Sequence, residues 1–268
     1  GTDGKYKFDI LAEDTDVNLL IEERVMNYLG YDFDEYYLKN MKIPDNTDCD
    51  KMYSGILKTL KSEAGTNIAE QEQMLSDYNA SPDSFKTTKT AKHKYDRDKA
   101  VAYSYKWVDS EKVIRNPAYS DYAVYGGNCQ NYVSQALFAS GIPMDWNGDQ
   151  QWKWFDDEGD LSESPTGRSG SWSGTEYFYE YCNKNTGKGI VAETDGNIFS
   201  AQPGDVIQYV VDGWAHHSVI VTKVIYDDNG NVVDLLINSN TTDRVNYPMS
   251  AYGYTDIRLI RIIGYNDK

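Results

Sequence analysis

The side chains best suited to chemistry are one cysteine, two adjacent histidines, and the amides and carboxylates that follow them. Cys129 lies in Gly126-Gly127-Asn128-Cys129-Gln130-Asn131-Tyr132-Val133-Ser134-Gln135-Ala136-Leu137. Val133, Ala136, Leu137 and Ser140 recur with it at helical spacing, Asn128 suits an N-cap, and Gly141 and Pro143 end the pattern. A thiol in the first turn of a helix sits at the positive end of the dipole, which favours the nucleophilic thiolate. The same spacing also describes a small buried hydrophobe, so the cysteine needs partners before it counts as a nucleophile.

Those partners are a base and a group that orients the base. His93, between Lys92 and Lys94, reads as solvated, which leaves His216 and His217 at the head of an apolar run. With Asn229-Gly230 as a two-residue hairpin turn, Val219 faces Asn240 and His217 faces Thr242. His217 then shares a sheet face with Asn238 and Asn240, while His216 looks the other way, toward Asp243. Two triads follow: Cys129–His217–Asn240 and Cys129–His216–Asp243. A single bulge would exchange the faces. Consecutive strand histidines point apart and make a poor metal pair, and the sequence has no phosphate-binding or calcium-binding loop. No metal or organic cofactor is expected.

The elements that must carry these residues fall into two parts. Residues 1–88 read as an N-terminal helical extension. One amphipathic stretch runs from Val17 to Leu29, and a second from about residue 50 to 78 carries Met52, Ile56, Leu60, Ile68, Met74 and Leu75. The polar, turn-rich residues 81–90 read as a linker. Residues 89–268 read as the catalytic part. It opens with a helix containing Ala100, Val101, Ser104 and Trp107, continues through the cysteine helix, and ends in antiparallel strands. The class is α+β. Between the halves of this part lies a Trp-rich stretch. Trp146, Trp152, Trp154 and Trp172, with Trp214 further on, are candidates to line a substrate groove, or else pin a long loop.

The formal net charge of -16 argues against nucleic acid and against anionic membrane surfaces as partners. No apolar run reaches membrane-spanning length, so no membrane insertion is expected. Cys49, Cys129 and Cys182 do not form a disulfide framework; Cys49 and Cys182 could pair, or all three could be reduced.

Several of these stretches together resemble a known family, the putative amidase domains of Gram-positive bacteria. They are Tyr95-Asp96-Arg97-Asp98-Lys99-Ala100-Val101-Ala102-Tyr103, the Cys129 stretch, Gly141-Ile142-Pro143-Met144, Ser171-Trp172-Ser173, Pro203-Gly204-Asp205-Val206-Ile207-Gln208 and His217-Ser218-Val219-Ile220-Val221-Thr222. The family is similar to the papain-like cysteine hydrolases, related to the NlpC/P60 and CHAP peptidoglycan hydrolases. The resemblance covers about residues 93–265. It implies a papain-like core with Cys129 as nucleophile, His217 as base and Asn240 as the third residue. Related sequences often carry Asp before the cysteine and His at the third position, where this chain has Asn128 and Asn240. The implied reaction is cleavage of an amide or peptide bond, in a peptide or peptidoglycan-type substrate. Its oxyanion would be met by the Cys129 amide with Gln130 or Tyr122. Such a protein is expected to be secreted or wall-associated, its signal peptide removed. The same triad would serve acyl transfer to an amine, and the same fold without catalysis would serve as a wall- or protein-binding module.

Overall fold

The computed structural model describes residues 49–123, 127–147, 151–154, 168–241, 243–252 and 256–267. The amphipathic pattern between Val17 and Leu29 lies outside them. The described helices are α1 (Cys49–Ala80), α2 (Arg97–Lys106), α3 (Cys129–Ala139) and α4 (Thr175–Lys184). The strands are β1 (Gly189–Thr194), β2 (Val206–Val211), β3 (Trp214–Tyr226), β4 (Val232–Ser239), β5 (Arg244–Pro248) and β6 (Asp256–Asn266). They form one six-stranded sheet in the order β1-β6-β2-β3-β4-β5, with every neighbouring pair antiparallel. Helices followed by antiparallel strands make the α+β class expected from the order of the patterns.

The central strands are buried on both faces, and alternation divides their side chains between two cores. Val206, Ile220, Ile260 and Ile262 face α3, meeting Tyr132, Val133, Ala136 and Leu137. Ile207, Tyr209, Val219, Val221, Ile237 and Leu259 face the other way, where Met249 and Tyr252 pack. Met74, Leu75 and Tyr78 of α1 also lie against this second face. Asn79 fixes the helix end there: its Nδ2 donates to the Val232 carbonyl at 2.8 Å and its Oδ1 accepts the Val232 amide at 2.9 Å. The stretch after α1 is not a free linker. It holds a 3-10 turn (Pro82–Phe85), the Phe85 carbonyl accepts from Arg261 at 2.8 Å, and Lys89 Nζ donates to the Ala192 carbonyl at 2.8 Å.

Two of the sequence stretches meet at one buried ion pair. Asp205 is fully buried, and its carboxylate accepts from Arg97 Nη1 at 2.8 Å and from the amides of Ile262 and Gln202 at 2.9 and 2.8 Å. Arg97 also donates to the carbonyls of Pro203 and Ile262. Burial raises the Asp205 pKa, and the Arg97 charge with these hydrogen bonds opposes that shift. Gly204 lets the two segments approach: its φ is +91°, and a Cβ there would lie 2.8 Å from Tyr95 Oη.

Arg97→Met would leave a carboxylate buried without its cation. It is expected to cost about 3 kcal/mol, roughly a 6–12 °C fall in Tm by circular dichroism, whereas an unchanged Tm would remove the pair from the fold's supports.

Candidate active site

Cys129 begins α3 and is 6% exposed. Its helix packs on the Ile220 face of the sheet. On β3 the amides of odd-numbered residues point to β2, as Val221 N shows by donating to Asp205 O at 2.9 Å. Even-numbered amides therefore point toward β4. The β3–β4 register runs from Tyr226↔Val232 to Ile220↔Asn238, while β4 pairs along its other edge with β5 as far as Ser239↔Arg244. The β3–β4 ladder ends at Ile220↔Asn238, and the Ser218 amide acts on the Cys129 thiol, as do the amides of Gln130 and of Cys129 itself, each favouring the thiolate. Burial still dominates and pushes the thiol pKa up, with these three amides working against it.

Asn128 holds the helix start beside the end of this ladder, though not as the expected N-cap. Its side chain caps no first-turn amide. Its Oδ1 instead accepts from the Tyr122 amide at 3.1 Å and from Asn131 Nδ2 at 2.8 Å. Its Nδ2 donates to Asn240 Oδ1 at 2.8 Å, and its own amide donates to Thr241 Oγ1 at 2.6 Å. Thr241 takes a left-handed φ of 65° to present that hydroxyl. The first-turn amides are left for the sulfur.

The hairpin register differs from the one expected. Asp227, not Asp228, closes the turn on Asn231, through N–H to the Asn231 carbonyl at 2.9 Å and through Oδ1 to the amides of Asn229 and Asn231. Register shifts between Ile225 and Tyr226 and between Val221 and Lys223 follow, so Ile220 faces Asn238 and Val221 faces Ile237. The bulges exchange the faces. Asn238 and Asn240 lie on the α2–α3 side, where Asn238 Nδ2 donates to Ser104 Oγ at 3.1 Å and Asn240 Nδ2 reaches the Trp107 carbonyl at 3.5 Å. His217 pairs with Tyr209 and lies on the opposite side. Asn240 thus braces Asn128, the residue before the nucleophile candidate, and does not share a face with His217.

The group that meets His217 is Tyr252. Its Oη stands 3.4 Å from His217 Nε2 and 2.8 Å from Ser239 Oγ. Its ring stacks on Tyr209 at 4.4 Å between centroids and meets Tyr247 edge-on at 5.2 Å. The charge of Cys129 also bears on Tyr252 and raises its pKa, after burial, the Ser239 hydrogen bond and Arg244. His217 is fully buried, and its pKa is lowered to about 3 by burial first and then by the charge of Arg244. Thiol and imidazole are therefore both neutral at neutral pH in this closed arrangement.

His216 is half-buried and lies where β3 bulges against β2, between the pairs Tyr209↔His217 and Val210↔Ala215. Helix α4 secures that bulge: Glu176 accepts the Ala215 amide at 2.8 Å, and Thr175 Oγ1 donates to the Ala215 carbonyl. Asp243, its expected partner, is engaged by Arg115 through two bonds of 2.7 and 3.1 Å. Of the oxyanion candidates, Gln130 turns along its helix to Ser134 Oγ at 3.2 Å, and the Tyr122 hydroxyl accepts from Trp154 Nε1 at 3.2 Å.

The tryptophans separate by burial. Trp152 and Trp172 are fully buried and donate to Ser134 Oγ at 3.0 Å and Asn131 Oδ1 at 2.8 Å, so both are core that pins the loop to α3 and neither lines a groove. Trp146 and Trp214 are about half exposed, at 47% and 49%, and Trp154 is half-buried against Tyr119. A small recess lies against the Asn128–Asn240 bond, lined by Trp107, Arg115, Tyr119, Asp121 and Tyr132 among others. Cys182 carries a free buried thiol. Among the described residues no group of three or more His, Cys, Asp or Glu side chains is placed to hold a metal ion, and no helix is long and apolar enough to cross a membrane.

Sequence reasoning missed Tyr252 and Ser239. The only available signal was the alternation of β4, which places Ser239 on the face of Ile237 once the register is known.

Burial of His217 has a pH consequence. Folded, the imidazole stays neutral down to about pH 3; unfolded, it takes a proton below its ordinary value of 6.5. Unfolding takes up a proton between those values, so stability falls as pH drops from 6.5 and is independent of His217 above it. The stability gap between wild type and His217→Gln, from urea denaturation, is expected to narrow below pH 6.5 by up to about 1.4 kcal/mol per pH unit. Parallel curves would contradict a neutral buried imidazole.

A comparison with curated proteins finds the uncharacterized protein YhbB of Bacillus subtilis (strain 168), 25% identical over 239 residues, which are 88% of this chain and 64% of that protein. The chain therefore spans a little under two thirds of that relative. No solved structure matches the chain. A family model described as "Putative amidase domain" matches residues 94–263, a span that contains Arg97, Cys129, Asp205, His217, Asn240 and Tyr252. By that match the chain belongs to the putative amidase domain family.

Proposed function

We propose that the protein is a cysteine-dependent hydrolase of amide bonds with a papain-like arrangement of nucleophile and base, acting on peptide bonds of the peptidoglycan type outside the cell. The observation that carries the reading is Cys129 at the start of α3, its thiol acted on by the amide that follows His217 where the β3–β4 ladder ends. The thiol proton passes to His217, and the sulfur attacks the carbonyl carbon. The proton then goes to the departing nitrogen as the C–N bond breaks, and water cleaves the thioester. The amides of Cys129, Gln130 and Ser218, which act on the thiol, serve as donors next to the carbon that would become tetrahedral. Asn240 serves by holding Asn128 and hence the helix start. The recess beside that bond, with its aromatic and amide lining, supports a site for the acyl part of a peptide. Transfer of the same acyl group to an amine would use the same residues.

Burial of both Cys129 and His217 favours a second reading, a non-catalytic binding module that keeps the fold and leaves the thiol idle. The two readings part on one measurement. Mass spectrometry of peptidoglycan fragments incubated with the protein is expected to show new peptide termini, lost at least about 100-fold in Cys129→Ala. Equal digestion by Cys129→Ala would eliminate the cysteine mechanism, and absence of digestion together with an unreactive Cys129 would favour the binding module.

A further inference from the structure

We propose that Tyr252 is the positioning residue for His217, its hydroxyl accepting the Nε2 proton of the imidazole and donating its own to Ser239. The proposal rests on the reading of Cys129 and His217 as nucleophile and base. For His217 to take the thiol proton, one ring nitrogen must present a lone pair and the other must carry hydrogen. Nε2 stands 3.4 Å from Tyr252 Oη, and in this proposal the thiol proton goes to Nδ1. Tyr252 Oη can accept from Nε2 only if its own hydrogen goes elsewhere, and Ser239 Oγ at 2.8 Å receives it. The proton that leaves Sγ arrives on Nδ1, the Nε2–H stays on Tyr252, and no proton leaves the tyrosine.

The tyrosine is built to hold that position. Its ring is fixed between Tyr209 and Tyr247, with centroids 4.4 and 5.2 Å away, so the hydroxyl cannot swing off the imidazole without breaking both contacts. Ser239 and His217 are fully buried and Tyr252 is 3% exposed, which keeps water from competing for the same bonds. The carboxamide of Asn240 is committed on the other face, to Asn128 and Trp107. The charged groups acting here are Arg244, felt by both His217 and Tyr252, and Asp243 and Cys129, felt by Tyr252. Burial, the largest influence, keeps the Tyr252 hydroxyl protonated by pushing it up to about 12.

The test is alkylation of Cys129 by iodoacetamide in the full chain, followed by mass spectrometry of the Cys129 peptide from about pH 5 to about pH 10. Tyr252→Phe keeps the ring and removes the acceptor. It is expected to slow alkylation at neutral pH by at least about 10-fold and to move the profile to higher pH, while Tm holds. A residue that merely packs would leave the profile where it is, and that result overturns the proposal. If Tyr252→Phe does not fold, Ser239→Ala, which leaves the ring in place, carries the test: an upward shift supports the relay and an unshifted profile sinks it. His217→Ala separates this from the parent reading. A wild-type profile identical to that of His217→Ala ends the cysteine–histidine reading itself, and a His217-dependent profile untouched by Tyr252→Phe ends only the role of Tyr252.

Discussion

A strand amide that has lost its neighbouring strand is the constraint around which the rest is arranged. A buried N–H needs an acceptor. At Ser218 the ladder to β4 has already ended, and the group on which its amide acts is the Cys129 thiol. That contact requires the start of α3 to lie beside the end of the ladder. Asn128 meets the requirement by tying itself to Asn240 and Thr241 just beyond β4, to the Tyr122 amide before it and to Asn131 after it.

The two buried cysteines show what this placement changes. Cys182 is packed in the α4 core, where burial raises its pKa and the charge of Lys89 is the one opposing influence. Cys129 is buried as well, yet three amides converge on its sulfur. One is a small apolar residue and the other is an acceptor in a polar site, a difference that burial alone would not reveal. Both groups rest uncharged, so under the proposed mechanism ionisation of the thiol accompanies proton transfer to the imidazole rather than preceding it.

The sequence made the elements legible where local pattern decided them. The helix beginning at Cys129 and the antiparallel strands ending the chain form where spacing and turn residues placed them. Face assignment failed for a definite reason. Parity depends on every residue between the turn and the site, and neither the Asp227-closed turn nor the two register shifts has a signature in residue type. For the same reason Tyr252 was invisible: it follows β5 and a 3-10 turn, and it reaches His217 only through the stack on Tyr209. Trp152 and Trp172 stayed open between lining a groove and pinning a loop, because loop composition does not reveal that their indoles bond to the cysteine helix.

The embrace of Val232 by Asn79 bears on what counts as the folding unit. The family segment begins at residue 94, but the sheet face that carries His217 is roofed in part by Met74, Leu75 and Tyr78, and β6 meets His93 through paired backbone bonds to Tyr265. A chain cut back to the family boundaries would keep every residue of the site and lose part of its roof. The boundary of the motif and the boundary of cooperative stability are different lines, and the second lies well inside α1.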